Sequence, residues 1–560
     1  MKFETFVNQL KTFLEDDPNF CLFSGIHKNL GDLPDPGKNK RITNTGKIIS
    51  FLNLFKKIDI ESLSVDQKID LKLYKLLLDQ KFLSYELDLD GVPHNMRMPT
   101  ASDAISGPLF MLFINDPREA KLRLVNIISR LEKVDGYISS YMRNIKDPVE
   151  RWVIMELDKL SGLSDFFENI YSWAQDIGFK STDRLRKAIT SANSSLLRYE
   201  IHLKNTTKSK NIFIGEEQMH KVLMSRGITL SPEQIHQVAK DFMKENLRSV
   251  EELRLKLAQK YDLTEETSAE DLQKILVNKF AVSRKGEGFN FILQRYQSER
   301  EKILSFIKER NLFPIMENQD MHIMQTPSFM APSIPAGAMM PPLALREGVK
   351  KSLVYLTLTE ELIPEHTEIS IPGMMIHEGI PGHHLQLAWA ASNNSFIRRI
   401  FESNDLFEGW TTMLEDYMLD IGYANELADE VRFSGKRDIS RIGARVSIDL
   451  YFMSGDKKYL DIGVDCDLSS EDPFVCAGNL LQKITGFVDA RVQAELNWYS
   501  QERGYPLSYL TGNHLVWKLK EKFKSQFNGE DIDCDREFHK RFLEAGNMPL
   551  SILEEVVLRR

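Results

Sequence analysis

Three imidazoles and a carboxylate fall within eight residues at His377-Glu378-Gly379-Ile380-Pro381-Gly382-His383-His384. These are the donor types of a catalytic zinc site. There, about three protein ligands leave one position open for water, and a carboxylate that is not a ligand takes the water's proton. The familiar motif is His-Glu-x-x-His, with both histidines on one face of an unbroken helix. Here the spacing is longer: His383 lies six residues and His384 seven residues after His377. On a straight helix, seven residues return to nearly the same face but about 10 Å further along the axis, and six point elsewhere. A straight helix therefore fails with either partner. Pro381 removes a backbone N–H and sets its ring against the carbonyl four residues back, that of His377. Gly382 can adopt backbone angles closed to other residues. The pair predicts a kink that returns the second histidine towards His377. The competing reading of the same residues is a histidine-rich turn whose rings bond backbone carbonyls.

A third ligand must come from another element. The segment Phe407-Glu408-Gly409-Trp410-Thr411-Thr412-Met413-Leu414-Glu415-Asp416 places Glu408 and Glu415 seven apart, so both can look towards one side of a helix. A His-Glu helix followed by a glutamate helix is the layout of Glu-type zincins. Taken alone, the two glutamates also fit a solvated helix face.

The elements that must position these residues are mostly helices. From the N-terminus to about residue 310 the chain reads as helix after helix. Leu122, Leu124, Ile127, Ile128, Leu131 and Val134 recur close to the three-and-four spacing of a buried face, and similar stripes occupy 183–204, 231–261 and 268–280. Asp35-Pro36-Gly37 and Gly91-Val92-Pro93 read as turns. Near residue 313 the texture changes to Pro, Met, Ser and Ala, and Ser352 to Leu358 then reads as a short strand. The expected organisation is a helical N-terminal half, 1–312, and a catalytic half, 313–560, with room for one shared core.

The chain has 560 residues, 42% of them hydrophobic, which is ample for a large core. A length prior gives about two to four domains. The net charge is −9 with acidic and basic residues mixed and no long basic block, which argues against a nucleic-acid partner. Cys21, Cys466, Cys476 and Cys534 lie far apart without a Cys-x-x-Cys pair, as suits reduced thiols in a cytoplasm. The first residues lack the apolar stretch of a signal peptide. Met321 to Leu345 carries no charged residue, but Pro327, Pro332, Pro335, Pro341 and Pro342 argue against a membrane helix. A cytoplasmic protein with no membrane partner is expected.

His-Glu-Gly-Ile-Pro-Gly-His-His-Leu-Gln at 377–386 resembles the signature of the DUF885 family, His-Glu-x-x-Pro-Gly-His-x-x-Gln. Further blocks follow in the family's order. Phe407-Glu408-Gly409-Trp410 with Glu415 is similar to its Glu-Gly-Trp block, and Arg441, Arg445 and Asp449 match its Arg-Asp helix. Pro506 to Gly512 resembles its Leu-Ser-Tyr-x-x-Gly segment, and Phe538-His539, Gly546 and Pro549 to Glu554 its C-terminal block. Five ordered blocks are hard to obtain by chance.

The resemblance implies a mainly α, large helical zincin-like (Glu-type) metallopeptidase scaffold with a small β element and a deep channel. It implies one zinc per chain, or another divalent transition metal, held by His377, His383 and Glu408, with His384 and Glu415 as alternates. Glu378 would be the general base and Tyr509 a donor to the developing oxyanion. Arg441 and Arg445 would bind a substrate carboxylate, and Asp449 would orient a neighbour. The implied activity is hydrolysis of a short peptide or a peptide-like molecule, of carboxypeptidase or oligopeptidase type. The same site would serve a hydrolase of non-peptide amides or esters, and the scaffold would serve a non-catalytic peptide binder. Two departures bear on substrate recognition. Tyr451, Phe452 and Met453 stand where many family members carry a His, and Leu507 where Gln-Ala-Leu is usual.

Overall fold

The hydrophobic stripe read at 119–142 forms the helix Ala120–Met142 in the computed structural model, which describes residues 2–284, 286, 288–326 and 337–559. Leu124, Ile127, Ile128, Leu131 and Val134 are buried along one face, but Leu122 is exposed. Two residues before Leu124, it sits about 200° around the helix from it. The stripes at 183–204, 231–261 and 268–280 become Thr182–Asn205, Pro232–Lys260 and Ala269–Lys279. Their starts are written locally. Ser231 and Gln234 cap the second of these helices reciprocally, and Ser268 accepts from the Asp271 N–H at the third. The protein is mainly helical with a small sheet.

The chain divides into two compact units: Met1–Lys221 with Leu343–Arg346, and Val222–Pro342 with Glu347–Arg560. The first is a set of helices around buried side chains such as Trp152 and Phe167. Residue 312, where the sequence texture changes, lies inside the second unit. That unit also holds every residue of the chemical motifs.

In the second unit, α1 (Pro232–Lys260) and α2 (Asn290–Arg310) precede a three-stranded sheet of β1 (Gln319–Gln325), β2 (Gly337–Met340) and β3 (Lys350–Leu356). The central strand β3 runs parallel to β1 and antiparallel to β2, with Met321 opposite Ser352 and Met340 opposite Leu353. It starts and ends two residues earlier than the sequence suggests. Of the prolines read as excluding a membrane helix, Pro327, Pro332 and Pro335 lie outside the described residues. Among the described residues no helix is long and apolar enough to cross a membrane.

The helices α3 (Ile371–Glu378), α4 (His383–Ala391), α5 (Asn404–Asp420) and α6 (Ala428–Ser454) follow, then α7 (Asp489–Gln501), α8 (Ser508–Gln526) and α9 (Asp531–Glu544). α1 packs along α6, where Asn246 donates to the Lys436 carbonyl at 2.9 Å and to the Ser440 hydroxyl at 2.8 Å. Leu257, Leu272, Leu276, Ile369, Leu419, Val431 and Phe433 pack into one cluster. Helices from before residue 312 thus share a core with the elements after it.

The tightest crossing is α5 against α8. A Cβ on Gly409 would lie 2.4 Å from the Gly512 carbonyl carbon, and one on Gly512 would lie 2.1 Å from the Asp405 carbonyl oxygen. The two backbones touch, so neither position has room for a methyl group. Gly512→Ala is expected to cost about 3 kcal/mol through overpacking. Gly478→Ala is the control. Its new methyl meets only ordinary contacts at 3.5 and 3.6 Å, and a helix-interior alanine should hold or raise stability. Unfolding midpoints of the two variants measure the difference.

Candidate metal centre

The kink expected at Pro381-Gly382 is present. α3 stops at Glu378, and α4 begins again at His383. Between them the Ile380–Pro381 peptide is cis. The chain folds back so tightly that a Cβ on Gly382 would lie 2.0 Å from the His377 carbonyl oxygen. Only glycine fits there. Trp410, fully buried on α5, donates its indole N–H to the Pro381 carbonyl at 3.0 Å and holds the loop from the other side. The outcome is that the His377 and His383 rings, on different helices, face edge to face at 4.8 Å between centroids.

His377, His383 and Glu408 offer ligand atoms that all lie within 4.8 Å of one another. Glu408 Oε2 is 3.6 Å from His377 Nε2 and 3.4 Å from His383 Nε2. It is buried, yet among the described residues it makes no hydrogen bond, and the buried His383 Nδ1 makes none either. Two imidazole nitrogens and a carboxylate oxygen therefore converge on one point without satisfying each other. That donor set fits zinc, and also cobalt or manganese.

The atoms that do not converge are tied down. His377 Nδ1 donates to Glu415 Oε1 at 2.7 Å, which leaves its Nε2 for the centre. Glu415 thus holds a candidate ligand from behind, as carboxylates commonly do for metal-binding histidines. Tyr505 donates its hydroxyl to Glu408 Oε1 at 2.8 Å. Burial would lower the His377 imidazole, but Glu408 and Glu415 hold it up to about 10. Burial alone would raise the Glu408 carboxyl; His383 and His377 instead hold it well below the usual carboxylate range. The centre calls for positive charge.

His384 turns the other way. Its Nε2–H donates to Gln319 Oε1 at 2.5 Å, and the Ser352 hydroxyl bonds its Nδ1 at 2.7 Å. Burial, with Arg300 nearby, pushes this imidazole down to about 4. It pins α4 to the sheet and lies outside the cluster. Glu378 is half-buried next to His377, and among the described residues its carboxylate accepts no hydrogen bond. It lies within electrostatic reach of His377, Tyr296 and Tyr509.

Tyr509 packs against Tyr505 at 5.9 Å between ring centroids, and the Arg445 guanidinium lies over it at 4.5 Å. Arg445 is buried; it donates to Tyr499 and to Glu495, each at 3.0 Å. Arg441 pairs with Asp438 one turn earlier. Asp449 is buried and accepts the Gly504 and Leu507 N–H groups, both at 3.1 Å. It holds the turn that carries Tyr505. Sequence reading chose Tyr509 and passed over Tyr505, because nothing in the spacing links residue 505 to residue 408. It also passed over Tyr296, whose hydroxyl meets His366 Nδ1 at 2.9 Å near Glu378.

Two expectations follow. Tyr505→Phe removes the donor to Glu408 and should weaken zinc binding about 10- to 100-fold, measured by competition with a chromophoric chelator. Burial pushes the Asp449 carboxyl up to about 7, whereas an unfolded aspartate titrates near 4. Between these values the folded chain keeps a proton that the unfolded chain releases. Stability is therefore fully present below about pH 4 and falls as pH rises towards 7, by a few kcal/mol. Asp449→Asn should lose this slope, read from denaturation midpoints at pH 5 and pH 7.5 beside the parent chain.

Comparison with known proteins bears on fold and family. No curated protein matches the sequence. A "putative lipoprotein of unknown function" from Shewanella oneidensis superposes with a TM-score of 0.76 at 17% identity, covering 100% of this chain and 99% of that one. A "putative lipoprotein" from Colwellia psychrerythraea gives 0.75 at 16% identity, covering 96% and 94%. These likenesses show a shared fold. The model of the family described as "Bacterial protein of unknown function (DUF885)" matches residues 18–557, nearly the whole length, and the chain belongs to that family.

Proposed function

We propose that this protein is a zinc-dependent hydrolase of peptide bonds in short peptides. The observation that carries the reading is the convergence of His377, His383 and Glu408, with the Glu378 carboxylate within electrostatic reach of His377. When bound, zinc would polarise the scissile carbonyl and make the attacking water more acidic. Glu378 takes a proton from that water as its oxygen attacks the carbonyl carbon, and returns it to the departing amine. Among the described residues Glu378 accepts no hydrogen bond, which supports this role, because a committed carboxylate would have to break a bond first. Glu408 and Glu415 keep the two imidazoles oriented, and Tyr505 holds Glu408. Tyr509 is the nearby hydroxyl suited to donate to the carbonyl oxygen as charge develops there. Burial and the Glu408 charge raise its phenol, so it stays a donor at neutral pH. The proposed setting is cytoplasmic, which the four free cysteines support.

Glu378→Gln is expected to keep about one zinc per chain and to lose about 10²- to 10⁴-fold in peptide hydrolysis. Elemental analysis and a peptide-cleavage assay on the same preparation measure both. Full activity in this variant would remove Glu378 from the mechanism. Failure of the parent chain to bind zinc would remove the reading altogether.

A further inference from the structure

One guanidinium on α6 has donors without a hydrogen-bond partner among the described residues. Asp438, Arg441, Arg445 and Asp449 follow one another at spacings of three and four along α6, so they form one stripe on one face. Asp449 holds the Gly504–Leu507 turn. Arg445 is committed. Its Nε and Nη2 go to Tyr499 and Glu495, and its plane is packed against Tyr509 and Trp498.

Arg441, one turn along, is used on one edge alone. Its Nη1 donates to the Asp438 carbonyl at 3.2 Å and pairs with the Asp438 carboxylate. Among the described residues its buried Nε has no hydrogen-bond partner, and Nη2 has none either. The Nε and Nη2 hydrogens form the side-on fork that binds a carboxylate through two parallel hydrogen bonds. A buried donor left unpaired is costly, and a ligand that pairs it recovers that cost.

The fork lies near the metal centre. Tyr509 stacks on Arg445 and touches Tyr505, and Tyr505 is bonded to Glu408. The Tyr509 hydroxyl is within electrostatic reach of Glu408, Glu378, Arg445 and Arg441. One tyrosine is thus within reach of both the candidate catalytic carboxylate and the residue that carries the fork. A substrate reaching from one to the other carries a carboxylate close to its scissile carbonyl. In a peptide, the α-carboxylate of the last residue meets that condition.

We propose that Arg441 receives the C-terminal carboxylate of the substrate, so that the chain removes residues from the C-terminal end of short peptides; the cleavage part of this rests on the hydrolase reading above. In the chemistry, water adds to the last peptide carbonyl, the C–N bond breaks, and the free C-terminal amino acid leaves with the proton returned by Glu378. Arg445 is a positioning residue that holds Tyr509.

The test separates binding from turnover. A tripeptide library, each member as free acid and as C-terminal amide, is titrated calorimetrically into Glu378→Gln. The free acids should bind about 10-fold tighter or more. Adding Arg441→Gln should bring the acids down to the affinity of the amides, and Arg441→Lys should restore part of the gap. Equal affinity of acid and amide in Glu378→Gln, no binding of either, or a gap that survives Arg441→Gln each overturns the assignment. The first comparison needs no arginine variant, so misfolding of Arg441→Gln does not shield the proposal. Product analysis with the parent chain then judges the hydrolase reading separately. Single C-terminal amino acids released from acids but not from amides support both proposals. An acid preference in binding without any cleavage keeps the Arg441 assignment and overturns the hydrolase reading.

Discussion

A buried carboxylate left without a counter-charge takes up a proton rather than stay ionised, and Glu408 is buried. Taking an ion of this size out of water costs several kcal/mol even after the protein relaxes. Two imidazoles at 3.4 and 3.6 Å, with a tyrosine hydroxyl at 2.8 Å, make its position tolerable. The rest of the second unit can be read as the means of delivering those partners. His377 comes from α3, His383 from α4 after a sharp reversal, and Tyr505 from a turn fastened by Asp449. None of the three would meet Glu408 if the backbone between them were regular.

Close backbone approach is the second requirement. Glu408, Gly409 and Trp410 are consecutive on α5, so they point about 100° apart around the helix. Each does a different job. Glu408 faces the imidazoles, Gly409 lets α8 come to backbone contact, and Trp410 reaches the Pro381 carbonyl. Trp410 also stacks on Phe542 at 4.4 Å and meets His539 edge-on, which ties the site to α9. A larger residue at 409 would push α8 away, and with it the turn that carries Tyr505. The Glu-Gly-Trp block is therefore one mechanical unit.

The Asp-Arg stripe of α6 divides its labour in the same way. Asp449 and Arg445 spend their hydrogen bonds on the protein, holding a turn and an aromatic cluster. Arg441 does not, and its buried Nε has no hydrogen-bond partner among the described residues. Sequence alone lists both arginines as equals. Partners separate them: a guanidinium already bonded to a buried glutamate and a buried tyrosine is support for the site, whereas one with a bare edge can take a ligand.

Local sequence determined a good deal. Helical periodicity placed the long helices to within a residue or two, because burial of one face repeats every three or four positions, and the starts at Pro232 and Ala269 carry capping side chains. The break at Pro381-Gly382 was also legible, since proline and glycine act on the backbone beside them. The choice of His383 over His384 agrees with the position the motif favoured, but sequence could not say why: the reason is Ser352 and Gln319, on strands distant in the chain. The separation of Glu408 from Glu415 has the same character, as both reach His377 and only its two ring nitrogens tell them apart. Tyr505 and the bare edge of Arg441 were invisible for a like reason. Spacing along one element constrains what shares a face, but which groups meet across elements, and which are left without a partner, is decided only when the helices and sheet are packed.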